Sequence, residues 1–455
     1  MNNYKEKGNF LKYLRKTMRI MRLSLFLILI STAMAFSTTS YSQNTKLTLD
    51  LNKTTVKNDW SATACVAGIA VDAEYPGGNI VVDSIEGNDL YLKPDLTGNS
   101  RWWFYWNFRV SGAAGNRIHV HFADKNVIGN GGPAVSTDGG NNWEWLGIES
   151  VSGNSFKYKV PQDVDEVRFS FAIPYQESDL ERFIQKHRNN QHLKVETLCK
   201  TRKGRTVRRL HLGKLDGVPQ HRIALTCRHH ACETMSSWVL EGVLEAILAN
   251  TEDGLWFRRN VEVVAIPFMD KDGVEDGDQG KGRSPHDHCR DYTGEALYPT
   301  VRALKQFLPA WSEGKLQIAL DLHCPYIRDN HIYFVLNPNE PFKQNAVAFL
   351  RLLEKTQQGP LRYSTKHNKV WPGGWGDLRK ANMGWSRTLP GMEVPAALEL
   401  PYSKNGNESV TPSKARLLGA DILHSMYLYL IENRPIYRQT PLLSFFLFWI
   451  WILVK

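Results

Sequence analysis

Two histidines and a glutamate fall within six residues of each other in Arg228-His229-His230-Ala231-Cys232-Glu233. Zinc takes imidazole nitrogen and carboxylate oxygen at about 2.0–2.2 Å, and a catalytic zinc usually has three protein ligands and a water. His230 and Glu233, three positions apart, can turn towards one cation from a loop leading into a helix. His229 competes for the metal-facing place, but only His230 has that spacing to Glu233. The third ligand must come from elsewhere, and the best candidate is His323, which ends the apolar run Ile318-Ala319-Leu320-Asp321-Leu322. Alone, His-x-x-Glu is equally the polar start of a helix, so the assignment depends on the rest of the chain.

Three further segments carry reactive groups. Asp270-Lys271-Asp272-Gly273-Val274 holds an Asp-Gly turn after a strand-like run, an ordinary turn if it stands alone. In Asp287-His288-Cys289-Arg290, the Arg290 guanidinium is either one more solvated charge or, in a pocket, a bidentate grip for a carboxylate. Glu399 lies inside Ala397-Leu398-Glu399-Leu400, where burying an unpaired carboxylate is costly. Either it faces solvent from an edge strand, or it is a general base beside a metal-activated water.

The elements around these residues change character along the chain. Between 44 and 172, short apolar and aromatic runs (Ile80–Val82, Trp102–Val110, Ile118–Phe122, Phe156–Val160, Val167–Phe171) alternate with Gly/Asn/Asp clusters. That spacing predicts an all-β sandwich. Residues 173–204 read as a linker with a helix over Glu177–His187. From 205 to 434, strand-like runs (Arg222–Cys227, Val261–Pro267, Leu316–His323, His331–Leu336, Ala396–Leu400) alternate with helical stretches, the clearest at Ser236–Leu248. The pattern predicts an α/β domain with a mixed, mostly parallel sheet flanked by helices. In such sheets the chemistry belongs where strands end. One Asp-box-like segment, Ser136-Thr137-Asp138-Gly139-Gly140-Asn141-Asn142-Trp143, occurs without repeats and reads as a stapled turn rather than a propeller blade.

Taken together, the motifs resemble the zinc metallocarboxypeptidase family, in its cytosolic-carboxypeptidase-like branch with an N-terminal β-sandwich. The family's His-Pro-Gly-Glu, Asn-Pro-Asp-Gly-Val, Asp-x-Asn-Arg, Asp-Leu-His and Leu-Glu segments match His230–Glu233, Asp270–Val274, Asp287–Arg290, Asp321–His323 and Leu398-Glu399, in the same order. The resemblance covers about 175–434 and extends into the leading β region. It implies one zinc ion held by His230, Glu233 and His323, with Glu399 as general base. It further implies Arg290 on the substrate's terminal carboxylate and Asp287 orienting the first zinc histidine. An oxyanion-steadying cation is expected after the Asp-Gly-Val turn, where Arg283 is the choice and Lys281 the alternative. The chain departs from the family in Ala231-Cys232 for Pro-Gly and in Cys289 for the Asn beside Arg290. No Tyr is placed before Glu399, where Trp371, Trp375 and Trp385 fall.

Composition narrows the setting. The chain has 455 residues, 42% hydrophobic and 22% charged, an ordinary globular balance that excludes a disordered or collagen-like protein. Its net charge of +10 is concentrated at the start: residues 1–22 hold seven Lys/Arg and one acid, leaving +4 for the remainder. No basic stripe suggests nucleic acid as a partner. A basic flank, a short apolar core (Leu23–Ile30) and small residues around Ala35 make residues 1–43 a secretory signal peptide, so export is expected. The apolar tail 435–455 is short for a membrane span, and membrane contact through it has no further support. Six cysteines are too few for a disulfide framework, though Cys232, Cys289 and Cys324 lie close enough to the motifs for a bridge near the site. The expected activity is hydrolysis of C-terminal amide bonds of peptides or proteins. The alternatives are a related zinc hydrolase for a non-standard amide, such as an N-acyl amino acid or a cell-wall peptide, and a non-catalytic glycan-binding protein.

Overall fold

Alternation of apolar and polar residues builds the first half of the molecule: in Arg117–Phe122 the side chains of Ile118, Val120 and Phe122 are buried while His119 and His121 stay half exposed. The computed structural model describes residues 64–66, 68–96, 103–371 and 375–432. The leader read in 1–43, the apolar tail 435–455 and Trp102 lie outside them.

Among the described residues, eleven strands precede the first α-helix: β1 (Ala64–Val66), β2 (Ile69–Asp72), β3 (Val81–Glu86), β4 (Asp89–Lys93), β5 (Asn107–Ser111), β6 (Arg117–Phe122), β7 (Ala134–Ser136), β8 (Glu144–Trp145), β9 (Val151–Ser152), β10 (Ser155–Lys159) and β11 (Glu166–Ser170). They form one sheet in the order β1-β2-β5-β11-β7-β8 and a second in the order β3-β4-β6-β10-β9. Aromatic rings join the two. Trp106 lies 4.8 Å from Phe122, and Phe156 of β10 lies 5.2 Å from Phe169 of β11, centroid to centroid. Each such buried side chain contributes about 1.5–3 kcal/mol relative to leaving it in water. The Asp-box segment is a turn: Asp138 accepts hydrogen bonds from the amides of Asn141 and Asn142 at 3.0 and 2.9 Å, and Trp143 Nε1 donates to Gly140 O.

The second half continues with α1 (Glu177–Lys186), β12 (Leu193–Lys200), β13 (Thr206–Gly213), β14 (His221–Cys227), α2 (Thr234–Leu248), α3 (Glu252–Asn260), β15 (Val261–Ile266), α4 (Lys271–Asp276), α5 (Pro299–Ser312), β16 (Leu316–His323), β17 (Tyr333–Leu336), α6 (Phe342–Thr356), β18 (Lys369–Val370), α7 (Asn382–Ser386), β19 (Val394–Glu399), β20 (Lys404–Asn405), β21 (Glu408–Ser409) and α8 (Pro412–Glu432). Eight of these strands make one sheet, ordered β12-β13-β15-β14-β16-β19-β17-β18. Its centre, β15-β14-β16-β19, is parallel, while β12, β13 and β17 pair antiparallel. The central strands are buried almost end to end because helices cover both faces. One boundary differs from the sequence reading: residues 193–200, read as linker, are the edge strand β12. Its alternating Leu193-Lys194-Val195-Glu196 is half exposed, as suits an edge.

Helix α8 crosses α2 at very close range. A Cβ at Gly419 would overlap the Val239 carbonyl and the Val243 amide, so only glycine permits this approach. The sandwich and the α/β part lie within one compact unit. Gln279 Oε1 accepts from the amides of Phe104 and Tyr105 at 2.7 and 3.3 Å, and Trp145 Nε1 donates to Val410 O at 2.7 Å.

Candidate metal centre

Four segments converge at the carboxyl ends of the parallel strands, where β14 is flanked by β15 on one side and β16 on the other. The chain leaves β14 through Arg228, whose φ of 61° is unusual for a residue with a side chain. Its buried guanidinium secures that turn, Nε donating to Ala231 O at 2.9 Å and Nη1 to Tyr175 O at 2.8 Å. His230 and Glu233 follow, Glu233 capping α2 with only 1% of its surface exposed. β16 ends on His323 and β19 on Glu399, and these two stand in register. Gly280 lies against the same loop, its φ of 78° and its contact with the Ala231 amide leaving no room for a Cβ.

The donor atoms form a tight set. His230 Nδ1 lies 2.9 Å from Glu233 Oε1 and His323 Nδ1 2.7 Å from Glu233 Oε2. The opposite ring nitrogens face carboxylates: His230 Nε2 lies 3.5 Å from Asp287 Oδ2 and His323 Nε2 2.8 Å from Asp321 Oδ2. A histidine whose Nε2–H donates to a carboxylate keeps its Nδ1 lone pair for a metal, so the set fits one zinc ion. A second group, His229, Asp321 and His323, also has ligand atoms within 4.8 Å of one another. His229 is fully buried, bound through Nδ1 to Asp321 at 2.7 Å and through Nε2 to the Tyr292 hydroxyl at 2.6 Å. His230, Glu233 and His323 border a cavity of about 390 Å³, whereas His229 does not. The first group is therefore the one a cation and a substrate could share.

The electrostatics suit that reading. Burial opposes the charge on Glu233, but Lys281, His230 and His323 outweigh it and hold the carboxyl well below its usual range. Burial would lower the pKa of His230, yet the charges of Glu233 and Asp287 push it up to about 9. Glu399 shows the reverse balance: burial raises it to about 7, and Oε2 of this cavity-lining carboxylate has no hydrogen-bond partner among the described residues.

The remaining candidates fall into place unevenly. Arg290 lines the cavity with its guanidinium 5.0 Å from the Trp371 ring, and Nη1 donates to Cys289 Sγ at 3.0 Å. Asp287 is beside His230, its Oδ2 lying 3.5 Å from the ring's Nε2. Arg283 is not in the cavity, which corrects the expectation for it. Its guanidinium is held by Asp270, 2.7 Å away, and by Asp278, so two carboxylates draw it away from the site. The cation facing the site is Lys281, with Nζ 2.9 Å from Glu233 Oε1 and 2.9 Å from Cys324 O. Cys199, Cys227, Cys232, Cys289 and Cys324 are all free thiols, so no bridge joins the cysteines near the site. Sequence reasoning missed Tyr333, which lines the cavity from β17 directly opposite Glu399. It also gave no role to Asp321, whose position two residues before His323 on a buried strand was the available signal.

No family model matches the chain. Human cytosolic carboxypeptidase 2 is 29% identical over 196 residues, covering 40% of this chain and 21% of the relative. Macaque cytosolic carboxypeptidase 2 is 28% identical over 222 residues, covering 45% and 26%. Cytosolic carboxypeptidase 6 of Caenorhabditis elegans is 23% identical over 296 residues, covering 56% and 62%. The chain thus spans about a quarter of the first two relatives. Among solved structures, a metallo-carboxypeptidase from Burkholderia cenocepacia superposes with a TM-score of 0.69 at 18% identity, covering 80% of this chain and 100% of the other. A Pseudomonas aeruginosa metallo-carboxypeptidase gives 0.66 at 17%, covering 80% and 100%. In sequence the chain is similar to cytosolic carboxypeptidases, and in fold it is similar to bacterial metallo-carboxypeptidases.

Proposed function

We propose that the protein is an exported zinc-dependent metallocarboxypeptidase that hydrolyses the C-terminal amide bond of peptides or proteins. The observation that carries this reading is the Glu233 carboxylate between two imidazole Nδ1 atoms, beside a cavity that also holds Glu399 and Arg290. His230, Glu233 and His323 would hold the ion. When bound, zinc would polarise the scissile carbonyl and lower the pKa of a coordinated water towards about 7.

The chain's own groups do the rest. Arg290, partly desolvated against Trp371, grips the terminal carboxylate and fixes the distance to the scissile bond. Glu399 accepts the proton that the attacking water loses and delivers it to the departing nitrogen as the C–N bond breaks. Its raised pKa suits both steps, since a base near neutrality can also give the proton back. Lys281 supplies a fixed positive charge where the carbonyl oxygen becomes negative. Asp287 and Asp321 keep the two imidazoles in one orientation. Export rests on the leader pattern in residues 1–43.

Cys289 favours a second reading, a non-standard amide substrate. Its thiol accepts from Arg290 where an Asn would add an amide donor for the carboxylate. The test is release of single amino acids from a panel of peptides with free or amidated C-termini. Free C-termini should turn over, with activity lost to a chelator and recovered with zinc. Turnover that ignores the terminal carboxylate would move the assignment to the second reading, and chelator-resistant turnover would overturn both.

A further inference from the structure

The outer face of the second sandwich sheet carries metal-ligating chemistry that the reaction does not use. His119 and His121 are two apart on β6, so both project from the face opposite the buried Ile118, Val120 and Phe122. Asp89 starts the neighbouring strand β4, whose parallel register sets it directly beside His119. Asp89 Oδ1 lies 3.2 Å from His119 Nδ1 and 2.8 Å from His121 Nε2. All three residues are half buried, and their ligand atoms lie within 4.8 Å of one another.

We propose that Asp89, His119 and His121 form a second metal site, taking one divalent transition ion such as zinc or copper(II). Bonds of about 2.0–2.2 Å place neighbouring ligand atoms of one ion roughly 3–3.5 Å apart, close to the separations seen here. Two imidazoles and a carboxylate are a ligand set that borderline cations prefer over magnesium or calcium. The site is also supported from behind. His121 Nδ1 is 2.9 Å from the Ser155 hydroxyl, so a proton on Nδ1 leaves Nε2 free to ligate. The same ring stacks on Tyr91 at 4.9 Å with planes 18° apart, which limits its rotation. None of these residues borders the catalytic cavity, so the proposal stands independently of the function above.

The experiment is equilibrium dialysis of the full chain against micromolar zinc, with metal counted per chain. Wild type should hold two ions, His119→Gln/His121→Gln one, and His323→Ala one. The double variant should release amino acids from peptides at the wild-type rate and melt at the wild-type temperature when metal-free. Copper(II) added to the His323→Ala protein should give a paramagnetic resonance spectrum with two-nitrogen coupling, which the same protein carrying the double substitution loses. Two ions in the double variant, or none in His323→Ala, would overturn the proposal; loss of metal from His323→Ala alone with one ion retained separates it from the catalytic assignment.

Discussion

Replacing Asp321 with asparagine should weaken the metal centre without touching any of its three ligands. Asp321 is 2% exposed. Oδ1 accepts from His229 Nδ1 at 2.7 Å and Thr226 Oγ1 at 2.8 Å, and Oδ2 accepts from His323 Nε2 at 2.8 Å. Burial works against the Asp321 charge, but the imidazoles of His229 and His323 more than offset it and hold the carboxyl far below its usual range. An amide can accept at only one end. If its oxygen stays with His229 and Thr226, its NH2 faces His323 Nε2, and His323 must carry its proton on Nδ1, the atom that faces Glu233. If the amide turns over, His229 and Thr226 lose their acceptor instead. Either way at least one charge-assisted hydrogen bond is lost, at about 1.5–3 kcal/mol each. Loss of such an outer partner typically costs 10–100-fold in metal affinity, or about 1.4–2.8 kcal/mol. Competition against a fluorescent chelator reads the affinity, and thermal melting of the metal-free protein reads the packing cost separately. A zinc affinity within twofold of wild type would refute the idea that Asp321 sets the His323 tautomer.

Two further outcomes follow from the site's charges. Lys281→Gln should lower kcat by about 10²–10³, the usual cost of removing a group that stabilises the oxyanion, whereas Arg283→Gln should act mainly by loosening the loop that Asp270 and Asp278 hold; the opposite ranking in kcat would return Arg283 to the site. Glu399 binds its proton more tightly folded, at about 7, than at its ordinary 4.5, so metal-free stability should fall as pH rises through that window. Glutamine escapes that cost, so metal-free Glu399→Gln should melt above wild type at pH 8 and lose the advantage near pH 5, and equal melting at both pH values would show that Glu399 is not desolvated.

What could be seen in the amino-acid order depended on how local the cause was. Leu316–His323 is a strand end to end because Leu316, Ile318, Ala319, Leu320 and Leu322 need burial on both faces. Its last residue then has to emerge where parallel strands open onto a crevice, which is why His323 was legible. Lys281 and Arg283 were not separable, because Gly280 and Gly282 flank Lys281 with φ of 78° and 68°. Left-handed glycines decide which cation turns inwards, and nothing in their identity announces the angle. β12 passed for a linker because an edge strand needs only half its residues apolar. Tyr333 reaches Glu399 through an antiparallel pairing across 66 positions of sequence, a neighbour no local pattern specifies.

The most direct measurement is anomalous scattering at the zinc edge from crystals of the zinc-loaded protein, collected for wild type and Glu399→Gln. A peak should appear in both, within bonding distance of His230 Nδ1, Glu233 and His323 Nδ1, with peptide turnover abolished in Glu399→Gln. A peak lodged instead among His229, Asp321 and His323, or full turnover in that variant, would contradict this expectation.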